Sequence, residues 1–198
     1  MPRRILFTLM CCLGATFLYA SPTLAANKPL SERVVWMGFG GGGGVSGGDI
    51  SGVGYLNFTF GLRLLPVVPE FSLRDGLRGT SGVDTHVGGV AIGARFLLPR
   101  LLIARGYFRL AFSQQHEIPW DRFLEAPLQS VFGFGDGINH RSGFEGGGGV
   151  EIKLGPKGVF GLWAQGTVLV FPESAGPPVT AVVEAGLSLA LGPKIGGG

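Results

Sequence analysis

Val150-Glu151-Ile152-Lys153-Leu154, the turn Gly155-Pro156-Lys157-Gly158, and then Phe160-Gly161-Leu162-Trp163-Ala164-Gln165-Gly166-Thr167-Val168-Leu169-Val170 lie within the stretch from Gly143 to Leu191 that decides the fold. After Pro172 to Pro178 a third run follows, in which Val179, Ala181, Val183, Ala185, Leu187, Leu189 and Leu191 share one parity, and Thr180, Glu184, Gly186 and Ser188 the other. Side chains on a strand alternate between faces, so the stretch predicts antiparallel sheet with one apolar and one mixed face. The runs reach about 11–13 residues, against five or six in a soluble sheet. That is the length of strands that cross a bilayer at a tilt.

The same alternation extends toward the N-terminus. A first strand is predicted over 33–42 around Val35, Met37 and Phe39, then a Gly/Ser/Asp loop over 40–54. A clear second strand, 54–65, sets Leu56, Phe58, Phe60, Leu62 and Leu64 against Tyr55, Asn57, Thr59 and Arg63. After a turn at 66–69 comes a weaker third strand, 70–75, then a loop over 76–85. Strand four, 86–98, carries Val90, Ile92, Ala94, Phe96 and Leu98. Strand five, 101–113, follows a turn at Pro99-Arg100 and carries Leu102, Ala104, Phe108, Leu110 and Phe112. The longest irregular stretch is 114–141, where Pro119 to Glu125 could form a short helix or fold back over a barrel mouth. With the three C-terminal runs the count is eight. Short turns after strands two, four and six, with longer connections after one, three, five and seven, are the pattern of an up-and-down barrel with both termini on one side.

A spanning helix over 88–112 is the competitor. Arg95, Arg100, Arg105 and Arg109 would scatter around it, each costing roughly 2.5–3.5 kcal/mol at a helix centre. On strands, Arg95, Arg105 and Arg109 take one parity and Arg100 falls in the turn. That parity also collects Arg63, Arg74, Lys153, Glu70, Glu145, Glu151 and Glu184. A soluble barrel would turn its apolar parity inward; here the charges occupy the other one. An all-β, eight-stranded antiparallel up-and-down transmembrane barrel is therefore expected, with Arg63, Arg74, Arg95, Arg105, Arg109, Glu145, Glu151, Lys153 and Glu184 as a structural ion-pair network in its lumen. A barrel of this size is filled by its own side chains. Phe71, Phe96 and Phe160 at the turn side, and Phe112 and Phe144 at the loop side, are placed as an outward aromatic girdle.

At the N-terminus, Arg3 and Arg4 precede an apolar core, Ile5 to Leu18, and Thr23-Leu24-Ala25 resembles a cleavage site. Residues 1–25 are expected to be a secretory signal peptide, 26–32 a short periplasmic lead, 33–192 the barrel and 193–198 a Gly-rich tail. Cys11 and Cys12 both lie in the signal, so the mature chain has no thiol for a disulfide or a thiolate metal site. Without Arg3 and Arg4 the chain carries 14 basic and 13 acidic residues, a formal charge of +1, which argues against nucleic acid as a partner. Export together with membrane-length strands points to a bacterial outer membrane.

Chemical motifs are sparse. Gly38 to Gly43 matches G-x-G-x-x-G but lacks the βαβ setting of a nucleotide site. Asn57-Phe58-Thr59 is a sequon placed mid-strand. His86, His116 and His140 sit at loop-side positions without metal-ligand spacing. Ser113, His116 and Glu117 are close enough to name as a hydrolase set, but Ser113 takes the inward parity, whereas a lipid-facing site needs outward groups. No cofactor, metal site or catalysis is expected.

Over residues 33–192 the chain resembles the OmpA/OmpX-like outer membrane protein beta-barrel domain group, most strongly at Gly147-Gly148-Gly149-Val150-Glu151-Ile152-Lys153-Leu154 and Gly161-Leu162-Trp163-Ala164-Gln165-Gly166. The resemblance implies an integral outer-membrane protein with a structural, adhesive or surface role. It implies insertion by the barrel-assembly machinery, with outer-membrane lipid and lipopolysaccharide as the expected surroundings. Loops on a rigid barrel are where recognition usually lives, so a surface ligand is expected to be met through loops 40–54 and 114–141. The alternatives are a narrow ion or solute channel and a lipid-modifying enzyme. The last strand departs from the group by ending on Leu191 without a terminal aromatic residue.

Overall fold

The computed structural model describes residues 32–47, 51–64, 66–80, 83–155, 158–172 and 176–195. The expected signal peptide, 1–25, and all of the expected lead but residue 32 lie outside the described residues. The strands are β1 (Glu32–Ser46), β2 (Ser51–Leu62), β3 (Val67–Thr80), β4 (Val83–Leu101), β5 (Ala104–Pro119), β6 (Asn139–Leu154), β7 (Phe160–Val170) and β8 (Val179–Ile195). Each pairs antiparallel with the next and β8 pairs with β1, which closes an eight-stranded up-and-down barrel.

Alternation decides which face is which. In β2, Val53, Tyr55, Asn57 and Thr59 are buried while Leu56 and Phe60 are exposed. Around the outside, Leu56 is 60% exposed, Ile92 67%, Leu110 61% and Leu187 63%, whereas Arg63, Arg95, Arg109, Glu145 and Glu184 inside are at most 3% exposed. Trp36, Tyr107, Trp163 and Phe171 share that interior. Apolar outside and charged inside is the inverse of a water-soluble barrel.

The strands are longer than their patterns suggest, and the loops shorter. Most of the expected 40–54 loop is strand: β1 runs to Ser46 and β2 begins at Ser51. Glycine has low strand propensity because it offers nothing to pack. Here that emptiness is used, because a Cβ at Gly40 would meet the Trp163 ring at 2.7 Å and the backbone of Ala185. Likewise β3 runs from Val67 to Thr80, leaving a short connection in place of the 76–85 loop. The connections after β1 and β3 are therefore not long.

Pro99-Arg100 is not the turn. Both belong to β4, whose register shifts between Leu97 and Arg100, and the chain reverses at Leu102-Ile103. A local irregularity is where a proline without an N–H is tolerated in a sheet. The 66–69 turn likewise shrinks, since Val67 already bridges to Leu64. Of the expected tail, Pro193 to Ile195 belong to β8, where Ile195 pairs with Glu32 and Lys194 with Arg33. Residues 114–119 continue β5 and 139–141 begin β6. Between them stand two short helices, α1 (Trp120–Glu125) and α2 (Pro127–Val131).

Candidate functional site

The inward side chains form three tiers. At the turn side, Glu151 accepts from Arg63 Nη2 at 2.7 Å through both oxygens and from Trp36 Nε1 at 3.0 Å. Arg95 lies between the Trp36 and Tyr107 rings, 4.1 Å from each centroid, with its Nε 3.1 Å from Glu70. Cation–π contact on two faces suits a guanidinium removed from water. Arg105 and Lys153 stand at the mouth of this tier, near Arg63, Arg100 and Glu151, with Arg100 paired to Arg105 and Arg105 to Glu151 in register.

The central tier is a chain of charges. Arg109 donates to Glu70, to Glu145 and, at 2.7 Å, to Ser72 Oγ. Arg74 donates to Glu145 at 2.5 Å and to Glu184 through Nε at 3.0 Å and Nη2 at 3.2 Å. Glu184 also accepts from Asn57 and from Gln165, each at 2.8 Å. With Arg95 on Glu70, three guanidiniums face three carboxylates. The tier is neutral, which is what makes burial of its members tolerable.

The loop-side tier centres on Glu117, held by Arg78 through two contacts of 2.7 Å, by Arg141, and by Gln115 at 2.6 Å. Arg141 also lies 4.2 Å from the Phe171 ring centroid and donates to the Pro177 carbonyl, tying Pro177 to the wall. The sequence pattern puts all three charged members, Arg78, Glu117 and Arg141, in expected loops, 76–85 and 114–141. Their parity was available: Ser113, Gln115 and Glu117 share one phase, as do Arg141, Gly143 and Glu145.

The nine residues proposed from sequence as a lumen network thus all face inward, Arg105 half-buried and the others buried. A lumen cavity lined by Tyr55, Ser72, Arg74, Ser113, Gln115 and Glu145 measures about 10 Å³, room for about one water molecule. Phe71, Phe96, Phe112, Phe144 and Phe160 all face outward, and Phe112 meets Phe144 edge-on at 5.8 Å.

A second cluster lies outside the wall. His86 and His116 occupy outward positions on β4 and β5, yet are 2% and 8% exposed, because the 120–138 excursion covers them. Phe123 stacks on His86 at 4.2 Å and Trp120 on Phe123 at 4.8 Å. His86 Nε2 sits 2.7 Å from Asp75, and His116 lies 5.9 Å from His86 and 6.4 Å from His140 between ring centroids. The His116 ring bonds the Ser130 backbone and lies over Gly88, where a Cβ would strike it. The excursion therefore folds against the outer wall and not over the mouth. The Ser113, His116 and Glu117 set is not assembled: Ser113 and Glu117 face the lumen, His116 the exterior. Among the described residues no cluster of His, Cys, Asp or Glu could hold a metal ion.

Comparison with solved structures settles the architecture. Neisserial surface protein A matches 79% of this chain and 96% of its own, with 12% identity and a TM-score of 0.62. The N-terminal β-barrel domain of Pseudomonas aeruginosa OprF matches 80% and 98%, with 12% identity and a TM-score of 0.55. The chain has the fold of the small eight-stranded outer-membrane barrels. Ail, the attachment invasion locus protein of Yersinia pestis, matches 81% of this chain and 99% of its own, with 10% identity and a TM-score of 0.50. No protein-family model and no curated protein matches the sequence.

Proposed function

We propose that this protein is exported by a signal peptide over 1–25 and spans a bacterial outer membrane as a closed barrel. Its role is structural or in surface interaction, and non-catalytic. One observation carries the membrane assignment: residues such as Leu56, Ile92 and Leu187 are exposed around the whole wall, while the guanidiniums and carboxylates are inside and paired. Exposed apolar surface of that extent is stable only against lipid. Phe112 and Phe144 at one edge, with Phe71, Phe96 and Phe160 toward the other, fit the two interfaces. Outer-membrane lipid and lipopolysaccharide are the natural surroundings, and the barrel-assembly machinery the natural inserter. With the 40–54 loop reduced, surface recognition falls to 120–138 and the 171–178 connection. A conducting lumen has little support in an interior bridged by ion pairs from Arg74 to Glu145 and Glu184 and from Arg109 to Glu70 and Glu145.

The test is membrane fractionation with heat-modifiable gel mobility. The protein should appear in the outer membrane and migrate faster unheated than boiled. Recovery from the soluble periplasm with no shift would overturn the assignment.

A further inference from the structure

The flap over the histidines has a second face. Leu124 on α1, Leu128 on α2, Phe132 just past α2, and Phe134 are 60–78% exposed, although they belong to the loop-side excursion where solvated side chains are the norm. Asp121, Arg122, Glu125 and Gln129 supply the polar positions between them, and Arg122 pairs with Glu125 at 3.2 Å. Short helices with polar and large apolar positions interleaved are the composition of segments that lie in a membrane interface.

Position identifies the occupant. The flap rests on the lipid-side wall, because the histidines it covers sit on the outward phase of β4 and β5. His116 follows Phe112 by four residues on β5, roughly 13 Å along the strand, or about 9 Å along the axis at a tilt near 45°. The flap therefore begins where the apolar belt ends, and its apolar side chains continue that belt upward. Trp120, whose indole suits a boundary between apolar and wet surroundings, marks the start of the excursion. Its stack through Phe123 onto His86, with Gly133 set against His116 and His140, fixes the flap to the wall.

We propose that residues 120–138 form an interfacial foot, which lays Leu124, Leu128, Phe132 and Phe134 into the lipid of the loop-side leaflet and anchors the barrel at that depth. The proposal rests on the membrane assignment above and adds a lipid contact to it. A nitrobenzoxadiazole fluorophore attached at Leu128→Cys, or in a second sample at Phe132→Cys, reads the environment of the foot in the mature protein reconstituted into phosphatidylethanolamine/phosphatidylglycerol vesicles. Lipid spin-labelled near its headgroup should quench about half or more of this emission, and iodide in the buffer should quench little. The same fluorophore at Asp136→Cys, a polar exposed position, should show the reverse order. Heat-modifiable mobility of each labelled protein reports separately whether the barrel has inserted. An inserted barrel whose Leu128 and Phe132 labels answer to iodide and not to spin-labelled lipid overturns the foot and leaves the barrel standing. Labels shielded from both quenchers, together with crosslinking between copies, assign the face to a protein contact and equally overturn it. Loss of the mobility shift in the unlabelled protein removes the membrane assignment, and the foot with it.

Discussion

Replacing Glu184 by alanine tests whether the lumen is held by charge balance. Its carboxylate accepts four hydrogen bonds, from Asn57, from Arg74 twice and from Gln165. The side chain is 1% exposed. In the neutral central tier, Arg74, Arg95 and Arg109 are matched by Glu70, Glu145 and Glu184; deletion of one carboxylate strands a buried positive charge. Removing one partner of a buried pair costs about 3–5 kcal/mol, most of it the penalty on the charge left behind. Asn57 and Gln165 each lose an acceptor as well, about 1 kcal/mol apiece where water cannot replace it. Arg74 keeps Glu145 at 2.5 Å, so the lower half of the range, about 3–4 kcal/mol, is expected. Removing the opposite charge too should restore much of it. Arg74→Met with Glu184→Gln leaves Arg95 and Arg109 against Glu70 and Glu145, again neutral, and the coupling in the double-mutant cycle should reach about 2 kcal/mol. The assay is equilibrium guanidinium unfolding in vesicles, followed by tryptophan emission with the slope held common. A loss below about 1 kcal/mol for Glu184→Ala, or additivity in the cycle, would refute the charge-balance account, since an ordinary surface substitution could do as much.

Three further outcomes follow from the geometry. Leu187→Arg should cost about 2–4 kcal/mol if the belt is in lipid, whereas a soluble barrel would tolerate arginine at a position already 63% exposed within about 0.5 kcal/mol; the same titration distinguishes them. Leu102 holds φ at 56° in the β4–β5 turn, a region that Asn adopts more readily, so Leu102→Asn should raise the unfolding free energy by about 0.5–1 kcal/mol. Gly88→Ala should push the His116 ring off the wall, and trypsin should then cut sooner after Arg122 on the loosened flap.

Barrel topology was legible because parity survives wherever side chains are large. The residues of the central tier were found by phase alone, from Arg74 in a weak strand to Glu184 in a strong one. Legibility failed where the phase carried no contrast. Gly40 to Gly44 have no side chains to alternate, so strand read as loop. In β3 the outward Asp75 broke the apolar series, and its reason lies elsewhere, on His86 of β4. Gln114, Gln115 and His116 are all polar, so neither face could be told there. That His116 and Ile118 are outward yet buried depends on the 120–138 excursion folding onto the wall, a contact between segments distant in sequence that no local pattern encodes.

The same charge balance bears on what the barrel can do. An ion entering from either mouth would have to part Arg74 from Glu145 or Glu184, and Arg109 from Glu70 or Glu145, each in surroundings where an unpaired charge is costly. The tiers are also cross-linked, since Tyr107 bonds Gln165 at 3.1 Å while stacking on Arg95, and Gln165 in turn bonds Glu184. Shifting one member therefore disturbs strands on opposite sides of the barrel. Such an interior suits a rigid post better than a gate. The proposed surface role then falls to the exterior at the loop side, where the one long described excursion lies against the wall. If that is right, planar-bilayer recordings of the wild-type protein should be silent. Deleting 124–134 should leave unfolding of the barrel nearly unchanged while altering its depth or partners in the membrane. Steady conductance from the intact protein would mean that the paired tiers open on their own, and the rigid-post account would fail.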